Sequence, residues 1–80
     1  MEDANVLARI TELADEEHQI FQKEGRQEAT DADRARLGEV SVMLDQCWDL
    51  LHQRRAMREA GLNPNDASVR DARTVEGYIA

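Results

Sequence analysis

Two pairs of side chains in the sequence have a spacing that could bind a metal ion. Asp15 and His18, and likewise Asp49 and His52, stand three residues apart, so each pair would lie on one face of a helix. A metal-binding or enzymatic protein that uses these Asp-x-x-His pairs at a dimer interface is therefore one hypothesis. In an antiparallel hairpin, however, the pairs would lie on polar faces, separated by roughly three to four helical turns. We therefore expect exposed ion pairs, with no bound metal and no cofactor.

The only cysteine of the chain, Cys47, stands next to its only tryptophan, Trp48. A reactive thiol needs a cationic setting or a helix N-terminus, either of which lowers its pKa. Cys47 instead falls in the middle of a predicted helix, with Asp45 and Asp49 nearby, which would raise the pKa. We therefore predict a buried, unreactive Cys47 and no catalytic residue, and we interpret Trp48 as an anchor of the core or of a helix interface.

Length and charge exclude several classes of protein. Eighty residues form one small domain whose core is marginal by itself, and a single cysteine cannot form an internal disulfide, so oligomerisation is the expected source of further stability. The net charge of −7 disfavours binding to nucleic acid or to an anionic membrane. No apolar run could span a membrane, and the first residues are acidic where a signal peptide is basic, so we expect a cytoplasmic protein.

The first predicted helix runs from about residue 3 to residue 24. Asp3 or Asn5 is expected to cap its start, and Gly25 is expected to end it. Glu17 falls within its apolar seam, where it needs either a buried partner or partial exposure. The seam consists of Val6, Ile10, Leu13, Glu17 and Ile20, and a second stripe beside it consists of Leu7, Ala14 and Phe21.

The second predicted helix runs from about residue 31 to residue 60. Thr30 and Asp33 have the spacing of a capping box at its start, with aspartate in place of the usual glutamate. Gly61 suits the position after its last turn, and Pro64 prevents the helix from continuing. Because the connecting loop is short, the two helices should be antiparallel neighbours, and the longer second helix should extend its "RRAMRE" end past the start of the first.

The apolar arc of the second helix covers about half of its circumference, which is more than one neighbouring helix can bury. We therefore predict an all-α fold, an antiparallel two-helix hairpin with a C-terminal tail, that forms a homodimer with the architecture of a four-helix bundle. The residues predicted for the core or the interface are Leu13, Ile20, Leu37, Val40, Met43, Leu44, Cys47, Trp48, Leu50 and Leu51.

The division of the chain predicted from the sequence is a hairpin over residues 1–64 and a tail over residues 65–80. The tail is polar with spaced apolar residues, so we expect it to dock, either extended or with one short helix capped by Asp66. Arg70 and Arg73 are expected to meet the acidic first helix. The residues predicted to bind a protein partner are Arg54, Arg55, Arg58, Val75, Tyr78 and Ile79.

Three segments carry a resemblance to a known family. "ARITELADEEH" near the start, "LDQCWDLLHQRRAMREAG" in the second helix and the closing "VEGY" resemble the small actinobacterial proteins grouped as domain of unknown function 2630. The resemblance implies a short, cytosolic, helical protein, and it implies no reaction or ligand. The leading hypothesis is thus a non-enzymatic interaction protein that binds itself and a protein partner.

Overall fold

The computed structural model describes the backbone of residues 2–79 and the side chains of residues 2–77. This part of the chain contains helix α1 (Asp3–Gly25), helix α2 (Asp31–Glu59), a short 3-10 helix (Pro64–Asp66) and helix α3 (Ala72–Ile79), and no strand. The prediction of an all-α fold built on two long helices is confirmed. Helix α2 contacts each of the other three elements and lies between them. The result is a thin molecule that measures 50 × 25 × 14 Å, essentially one layer of helices.

The ends of α1 differ from the prediction. Its N-cap is Glu2, which makes no side-chain capping bond, so neither Asp3 nor Asn5 caps the helix. At the other end Gly25 is the last helical residue, and the left-handed conformation falls on Gln27, with φ of 59°. The amide of Glu28 donates to the carbonyl of Lys23 at 2.8 Å, and that of Gln27 donates to Glu24 at 3.1 Å. These two bonds form a Schellman motif with glutamine where glycine is usual.

Replacing Gln27 with glycine should stabilise the fold. The left-handed region strains a side chain that bears a Cβ atom, and glycine removes that strain, so we expect the free energy of unfolding to rise by about 0.5–1 kcal/mol. Urea unfolding followed by circular dichroism measures the change. Gly61→Ala is the matched control, because Gly61 occupies the same position after α2 with φ of 74° and should lose a similar amount. Equal stabilities of Gln27→Gly and the parent chain would contradict the expectation.

Both ends of α2 form as the sequence predicts. The Thr30 side chain accepts from the Asp33 amide at 3.1 Å, and the Asp33 carboxylate accepts from the Thr30 amide at 3.0 Å, which completes the capping box. At the other end the amides of Leu62 and Gly61 donate to the carbonyls of Met57 and Arg58, the two bonds of a Schellman motif. The α2 helix is therefore bounded by local signals that need no tertiary contact.

The first turn of α1 lies level with the arginines of α2. Arg54 and Arg58 both bind the Asp3 carboxylate, so the expected overhang of the "RRAMRE" segment is largely absent. Nearer the loop, Arg36 of α2 binds Glu16 of α1 through its Nε at 2.6 Å. The two helices are thus antiparallel and held in register by ion pairs near both ends of α1.

The core is small and lies mainly between α1 and α2. Its buried apolar side chains are Val6, Ile10, Leu13, Ile20, Val40, Leu50 and Val75. Glu17 is half-buried on the same side of α1, in agreement with the partly exposed alternative. Because a thin layer of helices has two broad sides, much of the apolar surface predicted for a core stays outside it.

The tail folds back along α2, as expected of a tail that docks. The 3-10 helix contacts α2, and α3 packs on α2 with Val75 only 2 % exposed. The Thr74 amide donates to the Asp71 side chain at 2.7 Å, so Asp71 caps α3 where Asp66 had been expected. Val69, one of the spaced apolar residues that were expected to dock the tail, is 59 % exposed. The side chains of Tyr78 and Ile79 lie outside the described residues.

Candidate interaction surface

Side chains of α2 hold the tail by its backbone. Gln46 donates to the carbonyl of Arg70 at 3.2 Å, and Gln53 donates to the carbonyl of Ser68 at 2.9 Å. The Arg70 guanidinium meets the Asp49 carboxylate at 3.3 Å, so Arg70 pairs with α2 where the sequence had predicted a contact with α1. These bonds fix the direction of the extended segment before α3, and they use polar side chains from one face of α2.

Two carboxyl groups meet where α3 packs on α2. The Glu76 carboxyl lies within hydrogen-bonding reach of Asp45, and its Oε1 is buried without a hydrogen-bond partner among the described residues. Burial, together with the neighbouring Asp45 carboxyl, raises the pKa of Glu76 above its ordinary value of 4.5. The contact therefore favours a protonated Glu76, and it weakens the docking of α3 when both groups are charged.

Replacing Glu76 with glutamine should make the fold less sensitive to pH. A carboxyl whose pKa is higher in the folded chain stabilises that state below its unfolded pKa and loses this contribution as pH rises through the folded pKa. The amide is neutral and can donate to Asp45, so Glu76→Gln should melt at a higher temperature, with a larger gain at about pH 7 than at about pH 5. Melting curves at both pH values measure this, with exposed Glu28→Gln as the control. A gain that does not grow with pH would argue against the carboxyl pair.

Arg54 is the most enclosed charged residue described, with 4 % of its surface exposed. Its guanidinium binds the Asp3 carboxylate of α1, the carbonyl of Pro64 at 3.1 Å and the Asn65 side chain at 3.1 Å. Hydrogen bonds from Arg54 and Arg58 lower the pKa of Asp3. Arg54 therefore joins α1, α2 and the start of the tail within the chain, and it is enclosed where the sequence had suggested an exposed binding residue.

The other residues predicted to bind a partner are placed differently from one another. The Arg55 side chain is 75 % exposed and pairs with Glu59 on its own helix, and the Arg58 side chain is 45 % exposed. Val75 is buried against α2 and is thus unavailable to a partner while α3 stays docked. Of this set, Arg55 and Arg58 remain at the surface, and they lie beside the buried guanidinium of Arg54.

Cys47 lies half-buried in a groove, not fully buried as predicted. Burial raises the pKa of its thiol, as the sequence suggested, although the cause is desolvation and not the acids Asp45 and Asp49. The Arg9 guanidinium opposes the shift and lies beside the groove. The groove holds about 190 Å³ and is lined by Val6, Arg9, Leu13, Met43, Gln46, Cys47, Leu50 and Val69.

The residues predicted for the core or interface fall into three groups. Leu13, Ile20, Val40 and Leu50 are buried, and Leu37, Met43, Leu44, Cys47 and Leu51 are half-buried. Trp48 is 46 % exposed and so lies outside the core of a single chain. Among residues 2–77, the other large apolar side chains that are exposed to a similar or greater extent are Leu7, Phe21, Leu62 and Val69. A role for Trp48 in an interface between chains remains a prediction.

The Asp-x-x-His pairs are not brought together. Asp15, His18 and His52 are exposed, and Asp49 is engaged by Arg70 and Gln53. Among the described residues, no three His, Cys, Asp or Glu side chains are grouped as metal ligands would be. In the same part of the chain, no helix has the length and apolar character needed to cross a membrane.

Sequence reasoning missed two features of this surface. The Asp45–Glu76 pair joins residues 31 positions apart, and no local pattern indicates that they meet. The ion pairs of Asp3 with Arg54 and Arg58 could have been predicted, because Asp3 is an acid at the start of α1 and the arginine-rich end of an antiparallel α2 faces it. Asp45, Glu76 and Arg54 all lie in segments that carry the resemblance to a known family, whereas Asp3 lies outside them.

Comparison with known proteins places the chain in a family. An uncharacterized protein of Mycobacterium tuberculosis is 42% identical over 79 residues, covering 95% of this chain and 88% of the relative. An uncharacterized protein of Mycobacterium bovis matches with the same identity and the same coverage. No solved structure matches the chain. The family described as "Protein of unknown function (DUF2630)" matches residues 2–80, and the chain belongs to this family.

Proposed function

We propose that the protein is a non-enzymatic helical interaction protein of the cytoplasm. In this proposal two copies form a homodimer, and the dimer binds a protein partner through the end of the tail or through the arginine-rich end of α2. The observation that carries the proposal is the exposure of large apolar side chains around a single layer of helices, Trp48 at 46 % and Phe21 at 52 % among them. An exposed apolar patch with polar surroundings is typical of a surface that binds protein.

The size of the core supports self-association. A chain of 80 residues gains little from its own core, and small domains without disulfides or structural metals often gain stability by oligomerising. The ion pair of Arg36 with Glu16 of α1 is partly solvent-exposed, so it fixes the register of the two helices more than it stabilises the fold. Burial of further apolar area in a dimer would supply the missing stabilisation.

The arginine-rich end and the tail are the surfaces proposed for a second protein. Arg55 and Arg58 are exposed or partly exposed beside the start of the tail, so an acidic segment of a partner could reach both. The buried Arg54 would hold this surface in place without contacting the partner. The proposal assigns no role to Val75 in binding, because docking of α3 occupies it.

Sedimentation equilibrium over a range of protein concentrations tests self-association. We expect a mass of twice the single chain at micromolar concentration, with dissociation on dilution. Native mass spectrometry at neutral pH provides an independent mass and also reports any bound metal. A stable monomer throughout the range would refute the proposed homodimer.

A further inference from the structure

The outer stripe of α1 lies on one broad side of the layer. Leu7, Ala14 and Phe21 each follow a residue that is buried between the helices, namely Val6, Leu13 and Ile20. At about 100° per residue, this outer stripe is turned about a quarter of the circumference away from the buried seam. Leu7 and Phe21 are about half exposed, at 47 % and 52 %.

Contacts between α1 and α2 identify the opposite broad side. Arg9 and Glu16 are turned about 40–60° from Leu13 in the direction away from the outer stripe. Glu16 binds Arg36 at 2.6 Å, and Arg9 approaches the Met43 sulfur at 3.9 Å. These contacts, and the groove beside Cys47, therefore lie on the side of the layer that the outer stripe of α1 does not occupy.

The same reasoning places an apolar stripe of α2 beside the outer stripe of α1. Arg36 and Met43 are turned about 40–60° from the buried Val40, whereas Leu44 and Trp48 are turned about 40–80° in the other direction. Arg36 and Met43 contact Glu16 and Arg9 on the broad side opposite the outer stripe. Leu44 and Trp48 therefore lie on the same broad side as Leu7 and Phe21. We name this side the Trp48 face. Its residues are Leu7, Ala14, Phe21, Leu37, Ser41, Leu44, Trp48 and Leu51.

We propose that the Trp48 face binds the Trp48 face of a second copy of the chain. This inference rests on the proposed function and specifies which surface of the chain carries out the self-association. The eight named residues of the face are uncharged, and two charged residues at a similar rotation, Glu17 of α1 and Arg55 of α2, carry opposite signs. Two chains that each carry −7 can therefore approach here with little net repulsion between groups in contact. A four-helix arrangement results when two such two-helix layers are stacked.

The dimensions and the side-chain sizes of the face suit a second copy. The broad side of the layer measures 50 × 25 Å, which exceeds the roughly 800 Å² per partner of a standard interface. Leu7 and Phe21 are about 20 Å apart along α1, with the small Ala14 midway between them, and Ser41 is a small residue of α2 on the same face. A two-fold axis through this middle region would bring like surfaces together and let the large residues meet across it.

Charge substitutions on the two sides of the layer test the assignment. Phe21→Glu places a carboxylate on the Trp48 face, and Val69→Glu is the matched control, because Val69 is similarly exposed at 59 % but lines the groove of the opposite side. Sedimentation should show that Phe21→Glu raises the dissociation constant by at least about 30-fold, whereas Val69→Glu leaves it unchanged. Circular dichroism confirms that both variants keep their helices.

Tryptophan fluorescence of the unmodified chain gives a second readout that depends on no substitution. Trp48 is the only tryptophan, so its emission should shift to longer wavelength as dilution dissociates the dimer. If the chain dimerises but Val69→Glu disrupts the dimer and Phe21→Glu does not, the Trp48 face is the wrong surface while the proposed function stands. Emission that stays constant across dissociation would overturn the assignment in the same way. A chain that is monomeric throughout would refute the proposed homodimer, and this inference with it.

Discussion

Replacing Arg54 with methionine should lower the free energy of unfolding by about 3 kcal/mol. The expectation follows from three hydrogen bonds of a buried guanidinium, to Asp3, to the Pro64 carbonyl and to the Asn65 side chain. A bond to a charged group contributes about 1.5–3 kcal/mol, and the acceptors left behind lose their donor. Small domains have a total stability of this order or slightly more, so the variant should be largely unfolded at physiological temperature.

Arg55→Met is the matched control for this substitution. Arg55 is the next residue, its side chain is 75 % exposed, and its pairing with Glu59 on the same helix contributes little. We expect its stability to change by less than about 0.5 kcal/mol. Urea unfolding of both variants at one protein concentration provides the comparison. If Arg54→Met were as stable as Arg55→Met, Arg54 would not join the two helices and the tail.

Replacing Val75 with aspartate should release α3 from α2. Val75 is 2 % exposed, so a charge at this position would be buried where α3 packs on α2, near the Asp45 and Glu76 carboxyl groups. The eight residues of α3 cannot stay helical alone, because a helix of this length is unstable in water. We expect the hydrogen-bonded amides of residues 74–79 to lose protection from hydrogen exchange by at least about 100-fold, while the centre of α2 keeps most of its protection.

Val69→Asp is the control that distinguishes the effect of burying a charge at Val75 from the effect of adding an acid to the tail. It makes the same substitution in the same segment, but at a side chain that is 59 % exposed. Protection in α3 should therefore stay near that of the parent chain. Equal loss of protection in the two variants would show that net charge governs docking, and unchanged protection in Val75→Asp would show that Val75 does not hold α3.

Two of the segments that carry the family resemblance are in contact in the folded chain. Asp45 and Gln46 belong to the central segment, and Val75 and Glu76 belong to the closing "VEGY". The structure brings these segments together, with Val75 buried and the Glu76 carboxyl beside Asp45. Part of the closing segment thus packs against α2 and contributes to the docking of α3.

The sequence by itself determined the helical class and both ends of α2. The Thr30–Asp33 capping box and the Gly61 motif both form as predicted, because each is completed by hydrogen bonds among residues at most five positions apart. The buried seam of α1 follows from helical periodicity, since every fourth or third residue returns to the same face. Both ends of α1 differ, since neither predicted residue caps its start. Gly25 carries the local signal for a stop, but the chain continues one residue further and places Gln27 in the left-handed region.

Only the tertiary structure decided which charged residues are internal and which apolar residues remain outside. Arg54 and Arg55 are the same residue type side by side, yet Asp3 and the start of the tail enclose the first and leave the second exposed. Trp48 has the apolar character of a core residue, but the layer is one helix thick and no described element covers it. Periodicity specifies the face of a helix on which a side chain lies, whereas its burial depends on which distant segment packs against that face, and long-range packing is not encoded in local spacing.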